Sequence, residues 1–247
     1  MKKPVLHILN QARQQRKKLL ALLIDPDTPN TEELKKLIAE ANAAQVDLIF
    51  MGGSLLLKDA LEQCVEQVKA LTDIPVVLFP GSVMQVNDKA DAILFLSLIS
   101  GRNPDLLIGN QVIAAPYLKQ LDLEILPTGY MLVESGQATT ASYMSGSLPI
   151  PNHKPEIAAC TAMAGEMLGL KLIYLDGGSG AQIPVTETMI KQVRQAVDAP
   201  IIVGGGIKTH EKAAANCKAG ADVIVVGNAT ETNPGLLREM AEAVHQS

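Results

Sequence analysis

Short, nearly continuous apolar runs recur along the chain, separated by stretches whose apolar residues fall at helical spacing. The runs predict strands over Leu19–Asp25, Val46–Gly52, Pro75–Pro80, Ala90–Ser97, Leu123–Thr128, Lys171–Asp176, Pro200–Gly204 and Ala221–Gly227. Continuous rather than alternating apolar character is the pattern of parallel strands covered on both faces. Between the first two runs, "TEELKKLIAEANAAQ" places Leu34, Leu37, Ile38 and Ala41 on one helical face, with Asn30 or Thr31 as N-cap. "TETMIKQVRQAV" and "THEKAAANCKAG" repeat the arrangement, the second closing on Gly220 as a C-cap. A further helix, spanning about residues 3–18, precedes the first strand. Eight strands alternating with helices predict an α/β protein, a (β/α)8 TIM barrel forming one domain over residues 1–247.

Two irregularities modify that barrel. Between the third and fourth strands lies only "GSVMQVNDKA", too short for a helix with two loops, so the third helix is expected to be missing or stunted. After the fifth strand, Gly136–Asn152 is a long polar stretch, expected to act as a lid over the face that carries chemistry in barrels.

That face is where the strand C-termini meet, and polar and glycine residues crowd it: Asp25-Pro26-Asp27, Gly52-Gly53-Ser54, Gly81-Ser82, Thr128-Gly129-Tyr130, Asp176 to Gly180, Gly204-Gly205-Gly206 and Gly227-Asn228. The opposite strand ends carry mainly turns such as "AGAD" and "VDAP". Glycines lacking Cβ atoms let backbone N–H groups converge on an anion, so three glycine loops after neighbouring strands predict a phosphate site. Tyr174 and Asp176 share one strand face and would point into the barrel top, where a carboxylate suits a general base or an acceptor for a substrate hydroxyl. Asp25 beside the hydroxyl of Ser54 could hold Mg²⁺. A turn aspartate before Pro26 explains Asp25 equally well, and Asp27 is the rival carboxylate.

Composition narrows the partners. A net charge of −5 and an aromatic content of 3% without tryptophan argue against a nucleic-acid binder. Cys64, Cys160 and Cys217 are scattered and odd in number, which fits reduced, buried thiols in a cytoplasmic protein. No apolar run reaches the roughly 18 residues of a membrane span. The basic cluster Arg13, Arg16, Lys17 and Lys18 fits a solvated helix face, with weak attraction to a membrane surface as the alternative.

The motifs "ALLIDPD", "FMGGS", "VLFPGS", "PTGYMLVESG", "PIPNHKPEIAACTAMAGEMLGLKLIYLDGGSGA", "IIVGGGI" and "VIVVGN" resemble those of the geranylgeranylglyceryl phosphate synthases, in the branch of some archaea and Bacteroidetes-type bacteria. The resemblance runs from Leu20 to Asn228. It implies a barrel without its third helix, and Mg²⁺-dependent transfer of a polyprenyl group from its diphosphate to the 3-hydroxyl of sn-glycerol 1-phosphate, the first ether bond of archaeal-type lipids. It implies Asp25 and Ser54 as magnesium positions. Tyr174, Leu175, Asp176, Gly177, Gly178, Ser179, Gly180, Gly205, Gly206, Gly227 and Asn228 are implied to bind glycerol phosphate, with Asp176 catalytic. It also implies a homo-oligomer, dimer or hexamer. The family pattern reads "YLEAGSG" where this chain has "YLDGGSG", so the acid at 176 is one methylene shorter and Gly177 replaces alanine. The expectation is that Asp176 still acts, with altered efficiency. A sugar-phosphate isomerase using Asp176 as base, a non-catalytic phosphate-binding barrel and a donor of another prenyl length are the competing expectations.

Overall fold

The structure, a computed structural model, describes residues 4–227 and 234–247. Eight parallel strands close a barrel in sequence order, and β1 pairs β8 through Leu19↔Val223. The strands are β1 (Leu19–Ile24), β2 (Leu48–Met51), β3 (Val76–Leu78), β4 (Ala92–Leu98), β5 (Glu124–Leu132), β6 (Leu172–Asp176), β7 (Ile201–Gly204) and β8 (Val223–Val226). The helices are α1 (Val5–Gln14), α2 (Thr31–Ala43), α3 (Leu61–Leu71), α4 (Asn110–Leu118), α5 (Thr140–Ser145), α6 (Pro155–Met167), α7 (Glu187–Ala196), α8 (His210–Ala219) and α9 (Pro234–His245). A π-helical turn, Asp105–Gly109, leads into α4.

Alternation along the strands explains two apolar layers. Leu20, Leu22 and Ile24 of β1, with Ile173 and Leu175 of β6, pack outward against the helices. Leu19 and Ala21, with Leu172 and Tyr174, fill the barrel interior. The interior cluster also takes in Val5, Leu9 and Ala12 of α1, so this helix plugs the bottom of the barrel. Asn30, not Thr31, caps α2, and its side chain accepts from the N–H groups of Glu32 and Glu33 while Glu33 closes a capping box.

No helix lies between β3 and β4, as the short connection predicts. Four expectations are corrected. The first helix ends at Gln14, and Arg16 takes a φ of 57°. Arg16, Lys17 and Lys18 therefore leave the helix, while Arg13 and Lys18 reach Asp222, so the basic cluster is not a solvated helix face. Cys160 is exposed on α6, whereas Cys64 and Cys217 are buried. The fifth strand does not end at Thr128 but continues to Leu132. Pro127 and Gly129 interrupt the apolar run in the sequence without stopping the ladder, because the Pro127 carbonyl still accepts from Lys171 N–H at 2.8 Å. No helix among the described residues is long and apolar enough to cross a membrane.

Candidate active site

The longer β5 carries Tyr130 into the barrel top. Its register partner on β6 is Tyr174, and Leu132 pairs with Asp176. The Tyr130 hydroxyl donates to Asp176 Oδ2 at 2.6 Å, and the N–H of Gly178 donates to Oδ1 at 2.7 Å. Phe79, beyond β3, stacks on Tyr174 with centroids 5.0 Å apart, and Tyr130 stands edge-on to both rings. The aromatic cluster fixes the floor of the site. Burial pushes the Asp176 carboxyl above its ordinary range, and the bonds from Tyr130 and Gly178 pull against that rise. Both tyrosines are pushed well above the usual phenol range, first by burial and then by the Asp176 charge. No ion pair to Asp176 occurs among the described residues. A buried carboxylate raised by its surroundings, on the wall of a cleft, is suited to take a proton.

The glycine loops pack closely around this acid. A Cβ on Gly204 would lie 2.7 Å from the Tyr174 hydroxyl, and one on Gly205 would lie 2.6 Å from Gly178 N and 2.9 Å from Asp176 Oδ1. Gly205 and Gly206 also adopt φ of 83° and 72°, where a side chain would be strained. Ser179, Gly180, Gly205, Gly206 and Gly227 line the cleft, together with Tyr174 and Asp176. Gly177 and Gly178 do other work: their N–H groups donate to Gly204 O and to Asp176. They shape the loop rather than offering those groups to an anion. Leu175 turns its side chain into the outer apolar layer. Asn228 lies outside the described residues. The Gly136–Asn152 stretch holds α5 over the mouth, where Thr140, Ala141, Met144 and Ser145 join the cleft wall. Thr139, the N-cap of α5, sits against Gly178.

Across the mouth, Asp25 and Ser54 both line the cleft. Burial raises the Asp25 carboxyl above its ordinary value, and its Oδ1 accepts from Asp27 N–H at 3.0 Å. Asp27 is engaged elsewhere: its oxygens take the N–H groups of Leu57 and Lys58, at 2.5 and 3.2 Å. A Cβ on Gly53 would come 3.2 Å from Asp25 Oδ2, so the glycine leaves that oxygen room at the cleft. One carboxylate and one hydroxyl in a wet, half-buried mouth fit Mg²⁺, a hard cation that keeps several waters and takes the rest of its oxygens from substrate phosphates. No cluster of three or more His, Cys, Asp or Glu side chains suited to a metal ion occurs among the described residues. Gln85, from the segment that replaces the missing helix, staples this side together. Its Oε1 accepts from Gly81 N–H at 3.1 Å and its Nε2 donates to Gly53 O at 2.9 Å.

The cleft has a volume of about 1410 Å³. From the polar mouth it runs over the outer face of β4, in the gap where a third helix would sit, past Ile93, Phe95 and Leu106 to Ala114 and Leu118 of α4. One end is therefore lined by polar side chains and glycine backbone and the other by apolar side chains. In the sequence Tyr130 reads only as one of the rim residues beyond the fifth strand, with no role, and Gln85 escapes altogether, as one glutamine in a segment with no periodicity.

Residues 11–246 match the model of the PcrB family. A geranylgeranylglyceryl phosphate synthase of Chitinophaga pinensis is 58% identical over 228 residues, covering 92% of this chain and 90% of the relative. One from Pyrococcus furiosus is 43% identical over 219 residues, covering 88% and 86%. The crystal structure of (S)-3-O-geranylgeranylglyceryl phosphate synthase from Thermoplasma acidophilum, in complex with its substrate sn-glycerol-1-phosphate, superposes over 100% of both chains with a TM-score of 0.94 at 33% identity. The tryptophan synthase alpha chain of Legionella pneumophila, at 15% identity and a TM-score of 0.62, shares the fold alone.

Proposed function

This chain belongs to the PcrB family, and from that premise we propose that it transfers a geranylgeranyl group from its diphosphate to the 3-hydroxyl of sn-glycerol 1-phosphate, releasing diphosphate. The observation that carries this reading is the single cleft that joins a glycine-walled carboxylate site to an apolar groove. An isomerase of small sugar phosphates has no use for the groove.

Glycerol phosphate sits with its phosphate against the backbone of Ser179–Gly180 and Gly205–Gly206, with the cation of Lys208 also on that wall. Its 3-hydroxyl is then directed at Asp176, which accepts the hydroxyl proton as the oxygen attacks the allylic carbon. The prenyl tail occupies the groove over β4, which holds the reacting carbon in place and keeps bulk water from it. Asp25 and Ser54 would hold magnesium, which when bound offsets the negative charge that grows on the departing diphosphate. The exposed apolar side chains of α4, Val112, Ile113 and Tyr117, support the further reading that copies of this chain associate.

The test is incubation with sn-glycerol 1-phosphate and labelled prenyl diphosphates of several lengths, with and without Mg²⁺. A butanol-extractable, phosphate-containing product is expected, greatest with the geranylgeranyl donor and lost on chelation. No product at any chain length would overturn the proposal. Product that persists after chelation would remove only the metal from it.

A further inference from the structure

Asp176 has the shorter of the two acidic side chains, yet both its oxygens are held, one from each side. Gly178 N–H, two residues on, closes a local turn on Oδ1. Left to that contact alone, a short carboxylate would fold back onto its own loop. The Tyr130 hydroxyl takes Oδ2 from the opposite side, from a neighbouring strand 46 residues away in sequence. Tyr130 cannot swing away, because its ring stands edge-on to Tyr174, with centroids 5.5 Å apart, and to Phe79 at 5.7 Å. We propose that Tyr130 is a positioning residue for the transfer reaction: its hydroxyl holds the Asp176 carboxylate in one orientation, ionised and facing the substrate hydroxyl. A carboxylate has about four lone-pair directions, and the two bonds use two, which leaves room for that hydroxyl.

The surroundings give Tyr130 this part without a rival. Beside Asp176 the titratable groups are Tyr130 on β5 and Tyr174 on β6. Across from it β7 presents Gly204 and the loop after β7 presents Gly205, while neutral Thr139, from the segment before α5, sits against Gly178. Lys208 lies on the same cleft wall, but no cation among the described residues pairs with Asp176, and the charge-assisted bond from Tyr130 is the strongest side-chain contact that favours its ionised form. Burial acts in the opposite direction. The inference rests on Asp176 being the proton acceptor.

Tyr130→Phe keeps the ring and its packing and removes only the donor. Its kcat should fall about tenfold at neutral pH, the effect of losing one hydrogen bond to a charged group, with KM for glycerol 1-phosphate little changed. Because that bond favours the ionised acid, the acid limb of the kcat/KM profile should move to higher pH, and the deficit should narrow as the pH rises. A loss equal at every pH, or no loss, would overturn the inference. 3-Fluorotyrosine at position 130 keeps the hydroxyl as a stronger donor. It should move the acid limb to lower pH, and its failure to do so would count equally against Tyr130, including where the phenylalanine variant does not fold. In an Asp176→Asn background, Tyr130→Phe should add nothing. If Asp176→Asn itself keeps the wild-type rate, the assignment of Asp176 fails. If it is inactive while Tyr130→Phe behaves as wild type at all pH values, only the role of Tyr130 fails.

Discussion

The two ends of this barrel treat the same chemical group in opposite ways. At the bottom, four acids near strand starts are tied down. Asp47 accepts from Leu20 N–H and pairs with His245; Asp91 accepts from Val76 N–H and pairs with Lys69; Asp222 accepts from Ile201 N–H and pairs with Arg194 and Lys18. In all three cases the acid just before one strand holds an N–H at the start of the preceding strand. Glu124, with no cation paired to it among the described residues, takes the first two N–H groups of the α1 plug, Val5 and Leu6. At the top, Asp25 and Asp176 have backbone N–H partners but no ion pair among the described residues. Burial raises both. A carboxylate neutralised by a cation holds the barrel closed. One left without a cation is free to meet a metal or a proton.

The sharpest way to break this contrast is to make the same change at each end. Asp176→Asn removes the proton acceptor and should lower kcat/KM by about a hundredfold or more, as expected for loss of a general base. It should lower the unfolding free energy by no more than about 1 kcal/mol, because the acid it removes is buried without a cation. Asp222→Asn should do the reverse. It strands the half-buried Arg194, whose pKa burial already lowers, and should cost about 3 kcal/mol in a urea titration while kcat per folded molecule stays constant. If Asp222→Asn impaired kcat as strongly as Asp176→Asn, the division of labour between the ends would be wrong.

A subtler contrast lies within one glycine loop. Gly205→Ala would force a side chain onto a φ of 83° and to within 2.6 Å of Gly178 N, displacing the turn that holds Asp176. The strain, about 1–3 kcal/mol, should appear as a raised KM for glycerol 1-phosphate and a lower kcat. In Gly177→Ala the nearest atom is the Ala181 Cβ at 3.3 Å, which must give by a few tenths of an ångström, followed by Gly205 O at 3.5 Å, with no left-handed backbone; kinetics should change by less than about threefold, within the scatter of small-residue changes. A small shift of Ala181 is all that the alanine of the family pattern asks of this backbone.

The legibility of the molecule follows from range. The eight strands, the absent third helix and the glycine rim are local patterns, and apolar runs, spacing and Cβ-free backbone express them directly. The bottom acids read only as turn residues, because their partners lie one strand away and depend on register. The role of Tyr130 is hidden for a related reason: Pro127 and Gly129 look like a strand end, and only the β4–β5–β6 ladder shows that the strand continues. Its bond to Asp176 joins residues whose proximity no single stretch of sequence encodes.

The smallest expected effect tests the bottom end on its own. The hydrogen bond to Asp47 raises the pKa of His245 on α9, and the Asp47 charge adds to the rise while burial opposes it. A histidine whose folded pKa is raised stabilises fully below its unfolded value, and the contribution disappears as pH climbs through the folded value. The pair is about a third exposed, so it should be worth less than about 1 kcal/mol. His245→Gln should therefore lower the melting temperature slightly at mildly acidic pH and leave it unchanged at alkaline pH, with kcat untouched throughout. A melting-temperature difference that grew with pH would show that the neutral imidazole, rather than the ion pair, holds α9 against β2. The bottom of the barrel would then not close through charge at that point.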